Sequence, residues 1–298
     1  MKNVPTKPVI ALAVIGILIA FVIFARRGGD TSESPLRPVD AISHGHGLAV
    51  DVADPNKVYI ATHHGLLVLV NDKDLYRIGT RQDDDMGFSV HPTDPRVFFT
   101  SGHPRGGGNL GFQKSEDGGV TWQRVSNGVN GPVDFHAMAV SPTKPNIVYG
   151  WYRGLQRSTD SGKTWEVLNA NVADIISLTA HPVDENVVYA ATAQGLLRSS
   201  DKGDSWERVS DELRKGAVVT LAIHPQDPQR MLSFSQNMGL TKSVDGGRTW
   251  EKVNEEFGGD FVLYLAIDRK KPETVYALTR NNVLYKSTDG WNRWNKIR

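Results

Sequence analysis

The octapeptide SEDGGVTW at residues 115–122 decides the fold, because it returns four times along the chain. The later copies are STDSGKTW at 158–165, SSDKGDSW at 199–206, SVDGGRTW at 243–250 and a degenerate STDGWNRW at 287–294. Their aspartates are Asp117, Asp160, Asp201, Asp245 and Asp289, which are separated by 43, 41, 44 and 44 residues. A period in the low forties, filled by short strands, is the spacing of the blades of a β-propeller.

The segment before each octapeptide repeats one order of strands and turns. Residues 177–209 show it best, as SLTAHPVDENVVYAATAQGLLRSSDKGDSWERV, in which apolar stretches alternate with turns rich in Pro, Asp and Gly. Residues 44–70 match the first half of this pattern, and NDKDLYRIG at 71–79 replaces the octapeptide. The blades begin near residues 46, 86, 136, 176, 219 and 263, so we predict an all-β, six-bladed β-propeller over residues 39–298.

The five repeated aspartates have a structural explanation that involves no chemistry. A short aspartate side chain accepts backbone N–H groups inside a turn, glycine supplies positive φ, and tryptophan buries a large ring between blades. In these residues the chain resembles the BNR or Asp-box family, which includes the propellers of sialidases, sortilin-type receptors, xyloglucanases and photosystem II assembly factors. The resemblance covers residues 40–298 and implies the fold, but no single activity, because the family contains enzymes and binding scaffolds.

The N-terminus carries a separate signal. Residues 9–25 form an uninterrupted apolar run that follows Lys2 and Lys7 and ends at Arg26-Arg27. Bulky residues replace the small ones that a signal peptidase site requires, so we predict a retained transmembrane signal anchor rather than a cleaved signal. The predicted order is a tail at 1–8, a transmembrane helix at 9–25 and a flexible linker at 26–38. We expect a single-pass protein of the cell membrane with the propeller on the extracytoplasmic side.

Composition excludes several classes of function. The formal net charge is +1 and the basic residues are scattered, so nucleic acid is not an expected partner. The chain has no cysteine, which removes disulfides, thiolate metal sites and cysteine nucleophiles together.

The nine histidines divide into two groups. His91, His181 and His224 each stand in a repeated His-Pro turn, and we interpret them as turn residues. The other six precede the first strand of a blade or follow its second strand, connections that emerge on one face of a propeller. They are His44, His46, His63, His64, His103 and His136.

Blades one to three differ from blades four to six at the start of the first strand. Aligned blades place His46, Met86 and His136 where blades four to six carry Ile176, Val219 and Leu263. The innermost strands line the central channel, so these side chains should meet at its mouth. We predict a ligand-binding pocket there that contains His44, His46, His63, Met86, His103, His136, Met138, Trp151 and Arg153.

Three hypotheses about this pocket stay open. Imidazoles with thioether and carboxylate neighbours suit a copper or zinc ion, and the candidate ligands are His44, His46, His136 and Met86. A glycoside hydrolase needs two carboxylates, for which the pocket offers Asp84 and Asp134. Alternatively, the polar groups only solvate the mouth of the channel. A sialidase is disfavoured because blades one to three hold only Arg105 and Arg153 on this face, too few for an arginine cluster.

The pocket segments carry a second resemblance. HGHGLAV, ATHHGL, DDDMGFSV, SGHP, NLGF and DFHAMAV are similar to a bacterial subgroup of envelope propellers that is labelled glycosylhydrolase from its Asp boxes. That label implies no activity by itself. We therefore favour a binding or assembly module over an enzyme, with the membrane as one partner and a protein of the envelope or of a membrane complex as another.

Overall fold

The computed structural model describes residues 34–169, 171–172, 174–253 and 257–298. These residues form six antiparallel sheets, five with four strands and one with five. The innermost strand of each sheet contacts that of the next, and the sixth contacts the first, so the ring is closed around a channel. The predicted all-β six-bladed propeller is confirmed. The predicted tail, transmembrane helix and most of the linker lie outside the described residues. Among the described residues, no helix is long and apolar enough to cross a membrane.

Each blade is a meander whose strands A to D run from the channel outward. Blade one holds β2 (Gly45–Val50), β3 (Lys57–Thr62), β4 (Gly65–Val70) and β5 (Asp74–Ile78), with β1 (Leu36–Pro38) added outside β5. Blade two holds β6 (Asp84–Val90), β7 (Phe98–His103), β8 (Phe112–Ser115) and β9 (Gln123–Ser126). Blade three holds β10 (Ala137–Val140), β11 (Val148–Trp151), β12 (Leu155–Ser158) and β13 (Glu166–Val167).

The second half of the ring repeats this order. Blade four holds β14 (Ile175–Ala180), β15 (Val188–Thr192), β16 (Gly195–Ser199) and β17 (Glu207–Arg208). Blade five holds β18 (Val218–Ile223), β19 (Met231–Ser235), β20 (Gly239–Ser243) and β21 (Glu251–Lys252). Blade six holds β22 (Val262–Ile267), β23 (Val275–Thr279), β24 (Leu284–Ser287) and β25 (Asn295–Lys296). Two short 3-10 helices, Glu212–Lys215 and Phe257–Gly259, precede blades five and six.

The Asp boxes close the turns between strands C and D. In the box of blade three, Thr164 donates to Asp160 from its backbone nitrogen at 2.9 Å and from its hydroxyl at 2.7 Å. Gly162, with φ of 80°, presses against the ring of Phe112 in blade two, where a Cβ would lie 2.0 Å from a ring atom. The Trp165 ring packs on Phe112 and Phe135. The boxes therefore join neighbouring blades, as the sequence predicts.

The hydrophobic core lies between blades rather than inside them. Six clusters of buried side chains occur, and each draws its residues from two adjacent blades, including one between blades six and one. Every blade therefore stabilises its two neighbours, which is the packing that repeat architectures require.

Blade one closes the ring without sharing a strand with blade six. Asp72 stands where an Asp box would be and accepts hydrogen bonds from Tyr276 at 3.1 Å and Lys286 at 2.5 Å. The last residue, Arg298, donates to the carbonyls of Asp40 and Lys73. Side-chain contacts thus hold blade one against blade six in place of a shared strand.

The boundary between linker and propeller needs a correction. Leu36–Pro38 was predicted as flexible linker but forms β1, which pairs with Tyr76–Ile78 of β5. Its side chains are exposed, so no apolar pattern marks it in the sequence.

Candidate functional site

Strand A begins with an irregularity that directs side chains toward the mouth of the channel. In blade one, the pairing with β3 skips from Gly45 to Gly47, so His46 sits in a β-bulge. The same shift occurs at Ile176, Val219 and Leu263 in blades four to six, which supports the alignment made from the sequence. A bulge bends the strand and redirects the side chain of its extra residue. In blade two the irregularity follows Met86, and in blade three His136 lies just before strand A, so the bulge at the mouth position is common to four blades.

Three histidines and an aspartate form the first cluster, which we define as His44, His46, His63 and Asp84. The three imidazole rings lie 4.3 to 4.9 Å apart between centroids. Asp84 comes from blade two and places its Oδ2 2.5 Å from His63 Nδ1 and its Oδ1 3.9 Å from His46 Nε2. One donor atom from each of the three histidines lies within 4.8 Å of the others.

The second cluster consists of His103, Asp134 and His136. His103 Nε2 and His136 Nε2 each lie 2.8 Å from Asp134 Oδ2. Asp134 is only 3% exposed, whereas both imidazoles reach toward solvent. The carboxylate therefore forms the floor of this cluster, and the histidines form its walls.

The two clusters are related by a step of one blade. In each cluster, a histidine at the end of strand B contacts an aspartate of the next blade. His63 contacts Asp84, which stands two residues before Met86, and His103 contacts Asp134, which stands two residues before His136. Blade four carries Asp174 at the same place, but its neighbour there is the Gln194 amide, 3.3 Å away. The histidine–aspartate pairing is thus repeated twice and then stops.

In the second cluster, His103 Nε2 and the Asp134 carboxylate face each other as two hydrogen-bond acceptors. His103 Nδ1 lies 3.0 Å from the Gly108 carbonyl oxygen, which can only accept, so Nδ1 carries a proton. In a neutral imidazole Nε2 is then an acceptor, yet it faces a carboxylate oxygen, which is also an acceptor. A proton or a metal ion between these atoms is required to remove the conflict.

Several buried polar atoms of both clusters have no hydrogen-bond partner among the described residues. They are His46 Nε2, Asp84 Oδ1 and Asp134 Oδ1. Buried polar atoms are normally paired, because an unpaired one costs about 1–3 kcal/mol. Desolvation lowers the pKa of His46 to about 4, despite the attraction of Asp84, so this imidazole is neutral at pH 7. The hydrogen bond to Asp134, by contrast, raises the pKa of His136.

The spacing fits the ligands of one metal ion. Zinc–nitrogen and zinc–oxygen bonds of about 2.0–2.2 Å at tetrahedral angles separate ligand atoms by roughly 3.4 Å. The 2.8 Å contacts of the second cluster are about 0.6 Å shorter than this, so the side chains would move apart slightly on binding an ion. The Gly108 carbonyl, which holds the His103 ring, is the type of outer contact that orients metal-binding histidines.

The three consecutive aspartates before β6 have separate roles. Asp84 faces the first cluster, while Asp85 is fully buried and pairs with Arg81. Asp83 accepts a hydrogen bond from the backbone nitrogen of Arg105. Desolvation lowers the pKa of Arg81 to about 10. Only one carboxylate of this acidic run therefore belongs to the candidate site.

The structure regroups the predicted metal ligands. His44 and His46 lie in one cluster and His136 in the other, and the sequence-based ligand set omitted His63, His103 and both carboxylates. Met86 is 5% exposed and is not among the residues that line the channel cavity. The link between B–C histidines and the next blade's aspartate could have been found from the repeat, because these residues recur at equivalent places.

The remaining predicted pocket residues lie around the clusters. Met138 is buried and lines the channel cavity, and Trp151 is half-buried at the end of β11. Arg153 is exposed, has φ of 55° and stacks over Tyr152. The glycine-rich B–C loop of blade two is fixed to blade three, because Asn109 donates to Tyr152 Oη and to the Pro132 carbonyl, both at 2.9 Å.

The His-Pro histidines do not take part in either cluster. The Nδ1 atoms of His91, His181 and His224 accept the backbone N–H three residues later, at 3.0 to 3.1 Å. Their prediction as turn residues is confirmed.

Comparison with known proteins gives a fold likeness and one partial family match. The family model for sortilin (neurotensin receptor 3) matches residues 153–244, and no curated protein matches the sequence. The GH74 xyloglucanase of Xanthomonas campestris superposes with a TM-score of 0.60 at 19% identity, over 88% of this chain and 46% of that enzyme. YCF48 of Cyanidioschyzon merolae superposes with a TM-score of 0.52 at 16% identity, over 88% of each chain.

A structure of YCF48 bound to D1 peptide has a TM-score of 0.54 at 14% identity, over 89% of this chain and 86% of that one. The chain spans about half the length of the GH74 enzymes it matches. At these identities the structural likeness shows the fold alone.

Proposed function

We propose that this propeller of the BNR type is a binding module that holds transition-metal ions at the mouth of its channel. The ligands are the imidazoles and carboxylates of the first and second clusters. The conflict at Asp134 carries the proposal, because two imidazole nitrogens lie 2.8 Å from one buried carboxylate oxygen. A divalent cation between them pairs all three atoms.

The donor set favours zinc, with copper as the second choice. Nitrogen and carboxylate donors without thiolates suit zinc and other borderline ions, whereas copper sites of the thioether type need an accessible methionine. Met86 is buried, so the mouth presents imidazoles and carboxylates. Two histidines at the mouth are exposed, which leaves a side of each ion open to a ligand from solution.

We further propose that the module is tethered to the cell membrane through residues 9–25 and works on the extracytoplasmic side. Its partner there would be a protein of the envelope or of a membrane complex. Two features support this: the apolar run of the sequence, and the likeness in fold to YCF48, which is described as bound to a D1 peptide. Co-purification from membranes, with and without the His46→Ala and His136→Ala substitutions, tests whether a partner depends on the mouth.

A glycoside hydrolase that uses Asp84 and Asp134 is the second candidate. It is supported by the position of both carboxylates at the mouth and by the fold of the GH74 enzymes. The two arginines of this face do not form a cluster, because Arg105 pairs with Gln82 and Arg153 stacks on Tyr152. Turnover of a panel of glycosides that disappears in Asp84→Asn and in Asp134→Asn would favour this candidate over metal binding.

Metal analysis of the purified chain tests the main proposal. The protein is dialysed against zinc and then against buffer, and bound zinc is measured for the wild type, His63→Ala, His103→Ala and His64→Ala. His64 is the matched control, because it is exposed and adjacent to His63 yet belongs to neither cluster. We expect zinc to fall in the first two variants and to stay at the wild-type level in the control. Equal zinc in all four proteins would contradict the proposal.

A further inference from the structure

The channel below the clusters contains a cavity of about 290 Å³. Residues of the innermost strand of every blade line it, from His46 and His136 at the mouth to Pro142, Pro182 and Pro225 beyond the opposite strand ends. Sites for drug-sized molecules occupy about 300–1,000 Å³, so this cavity suits a somewhat smaller guest. Its middle carries apolar residues such as Leu48, Leu265 and Ile267, together with Thr179 and Thr220.

Blade six departs from the other blades at two places in this cavity. The residue that follows each mouth position is small in five blades, Gly47, Gly87, Ala137, Ser177 and Thr220, but is Tyr264 in blade six. In the described part of the chain no hydrogen-bond partner is found for the Tyr264 hydroxyl. Burial, with a smaller contribution from Asp84, raises the pKa of Tyr264 to about 12. A neutral phenol in the channel is thus left with a free donor.

The second departure lies at the other end of the channel. The second residue after strand A is a proline in blades two to five, and in blade six it is Arg269. The prolines are Pro92, Pro142, Pro182 and Pro225. Desolvation lowers the pKa of Arg269, and no carboxylate opposes this effect. Across the described residues no ion pair or hydrogen bond holds its guanidinium.

An unpaired, partly buried guanidinium is costly, so its presence needs a reason. Buried charges are normally paired, as Arg81 is with Asp85 in this same chain. The described residues that line the cavity include no aspartate or glutamate. A cavity with an apolar wall, one cation and one phenol donor complements a small organic anion.

We infer that the channel binds a small carboxylate with an apolar body. Its carboxylate pairs with Arg269 and its body packs on the apolar part of the wall. A planar guanidinium suits a carboxylate, because two parallel N–H donors match the two oxygens. His46 and His136 line the same cavity at its mouth, whereas Arg269 lies beyond the opposite end of strand A and belongs to neither cluster.

Titration with benzoate and with benzamide, its neutral analogue of the same shape, tests the inference. The full chain is purified in detergent and binding is measured by calorimetry with EDTA present, and detergent alone gives the blank. We expect benzoate to bind and benzamide to bind at least tenfold more weakly. In Arg269→Gln the affinity for benzoate should fall by roughly 10- to 100-fold. Wild-type protein that fails to discriminate benzoate from benzamide would overturn the inference.

Matched variants separate this site from charge in general and from the clusters. Lys271→Gln removes a positive charge from an exposed position nearby and should leave benzoate binding unchanged. Loss of benzoate binding in the His46→Ala and His136→Ala double variant, with binding kept in Arg269→Gln, would place the anion at the mouth and overturn the inference. Thermal unfolding supplies a second readout: Arg269→Gln should be at least as stable as the wild type, because it removes an unpaired charge. A large fall in its melting temperature would assign Arg269 a structural role.

Discussion

Blades one to three and blades four to six share a backbone but differ at the mouth of the channel. His46 and Ile176 occupy equivalent bulges, but His46 lies beside two imidazoles and an aspartate, whereas Ile176 is a partly exposed aliphatic residue. The aliphatic half shows what the fold needs at these positions, which is a residue of moderate size. The polar half carries buried atoms without partners, which the fold does not need. The difference between the halves supports the proposed metal site.

If this comparison is right, stability depends on the positions that recur in the Asp boxes of blades two to six. Trp165→Ala removes a ring that packs on Phe112 and Phe135 and a donor to the hydroxyl of Ser126. We expect a loss of roughly 3 kcal/mol in the free energy of unfolding, measured by urea denaturation. Ile176→Ala, at the exposed mouth of blade four, should cost less than 1 kcal/mol, roughly the range for surface sites. Similar losses in both variants would break the comparison.

The next largest effect concerns the metal. His46→Ile combined with His136→Ile gives blades one and three the aliphatic mouth of blade four. Free zinc at about 100 times its dissociation constant should stabilise the wild type by about 2.7 kcal/mol for each occupied cluster and the double variant by nothing. Thermal unfolding with zinc and with EDTA measures this, and Val219→Ala serves as the control that keeps the wild-type response. Undiminished stabilisation of the double variant would refute the assignment of the clusters.

A smaller effect is expected in the absence of metal. Asp134→Asn replaces a carboxylate oxygen that faces two imidazole nitrogens by an amide, which can donate to one of them. In EDTA this variant should be more stable than the wild type by about 1 kcal/mol. Asp174→Asn, at the equivalent exposed position of blade four, should differ little. A destabilised Asp134→Asn protein would mean that the carboxylate supports the fold rather than a ligand.

The smallest expected effect is the pH dependence of the stability that an Asp-box aspartate contributes. Hydrogen bonds from Thr164 lower the pKa of Asp160 to about 2, below its ordinary value of 3.8. A lowered pKa in the folded state contributes stability that is fully present above pH 4 and is lost as the pH falls through 2. Asp160→Asn should therefore be less stable than the wild type at pH 7, with the difference vanishing near pH 2 in urea denaturation. A difference that persists at pH 2 would show that the charge of Asp160 is not the cause.

The sequence predicts most of the fold because most blades repeat the same turn motifs. The octapeptides specify the C–D turns, and the His-Pro turns follow strand A. β1 was missed because the side chains of Leu36–Pro38 are exposed and leave no apolar pattern in the sequence. Ring closure was missed as well, since the contacts of Asp72 with blade six join residues about two hundred positions apart.

The candidate site was predicted in its location and residue types but not in its grouping. The face and the blades could be derived from the repeat, which is why five of the six histidines singled out from the sequence lie in the two clusters. Distances between blades are absent from a sequence, so the division into two clusters could not be seen. Arg269 was also visible as a departure from the repeated proline, but its lack of a partner emerges only from the packing.

The attachment of β1 has a mechanical consequence. Tension applied to the chain before residue 34 reaches the ring first through the three residue pairs between β1 and β5. Those pairs would peel away before any load acts on the contacts of Asp72 or Arg298 with the seam between the first and last blades. Under such tension β1 would detach first and lengthen the segment before the propeller, while the six blades would keep their fold.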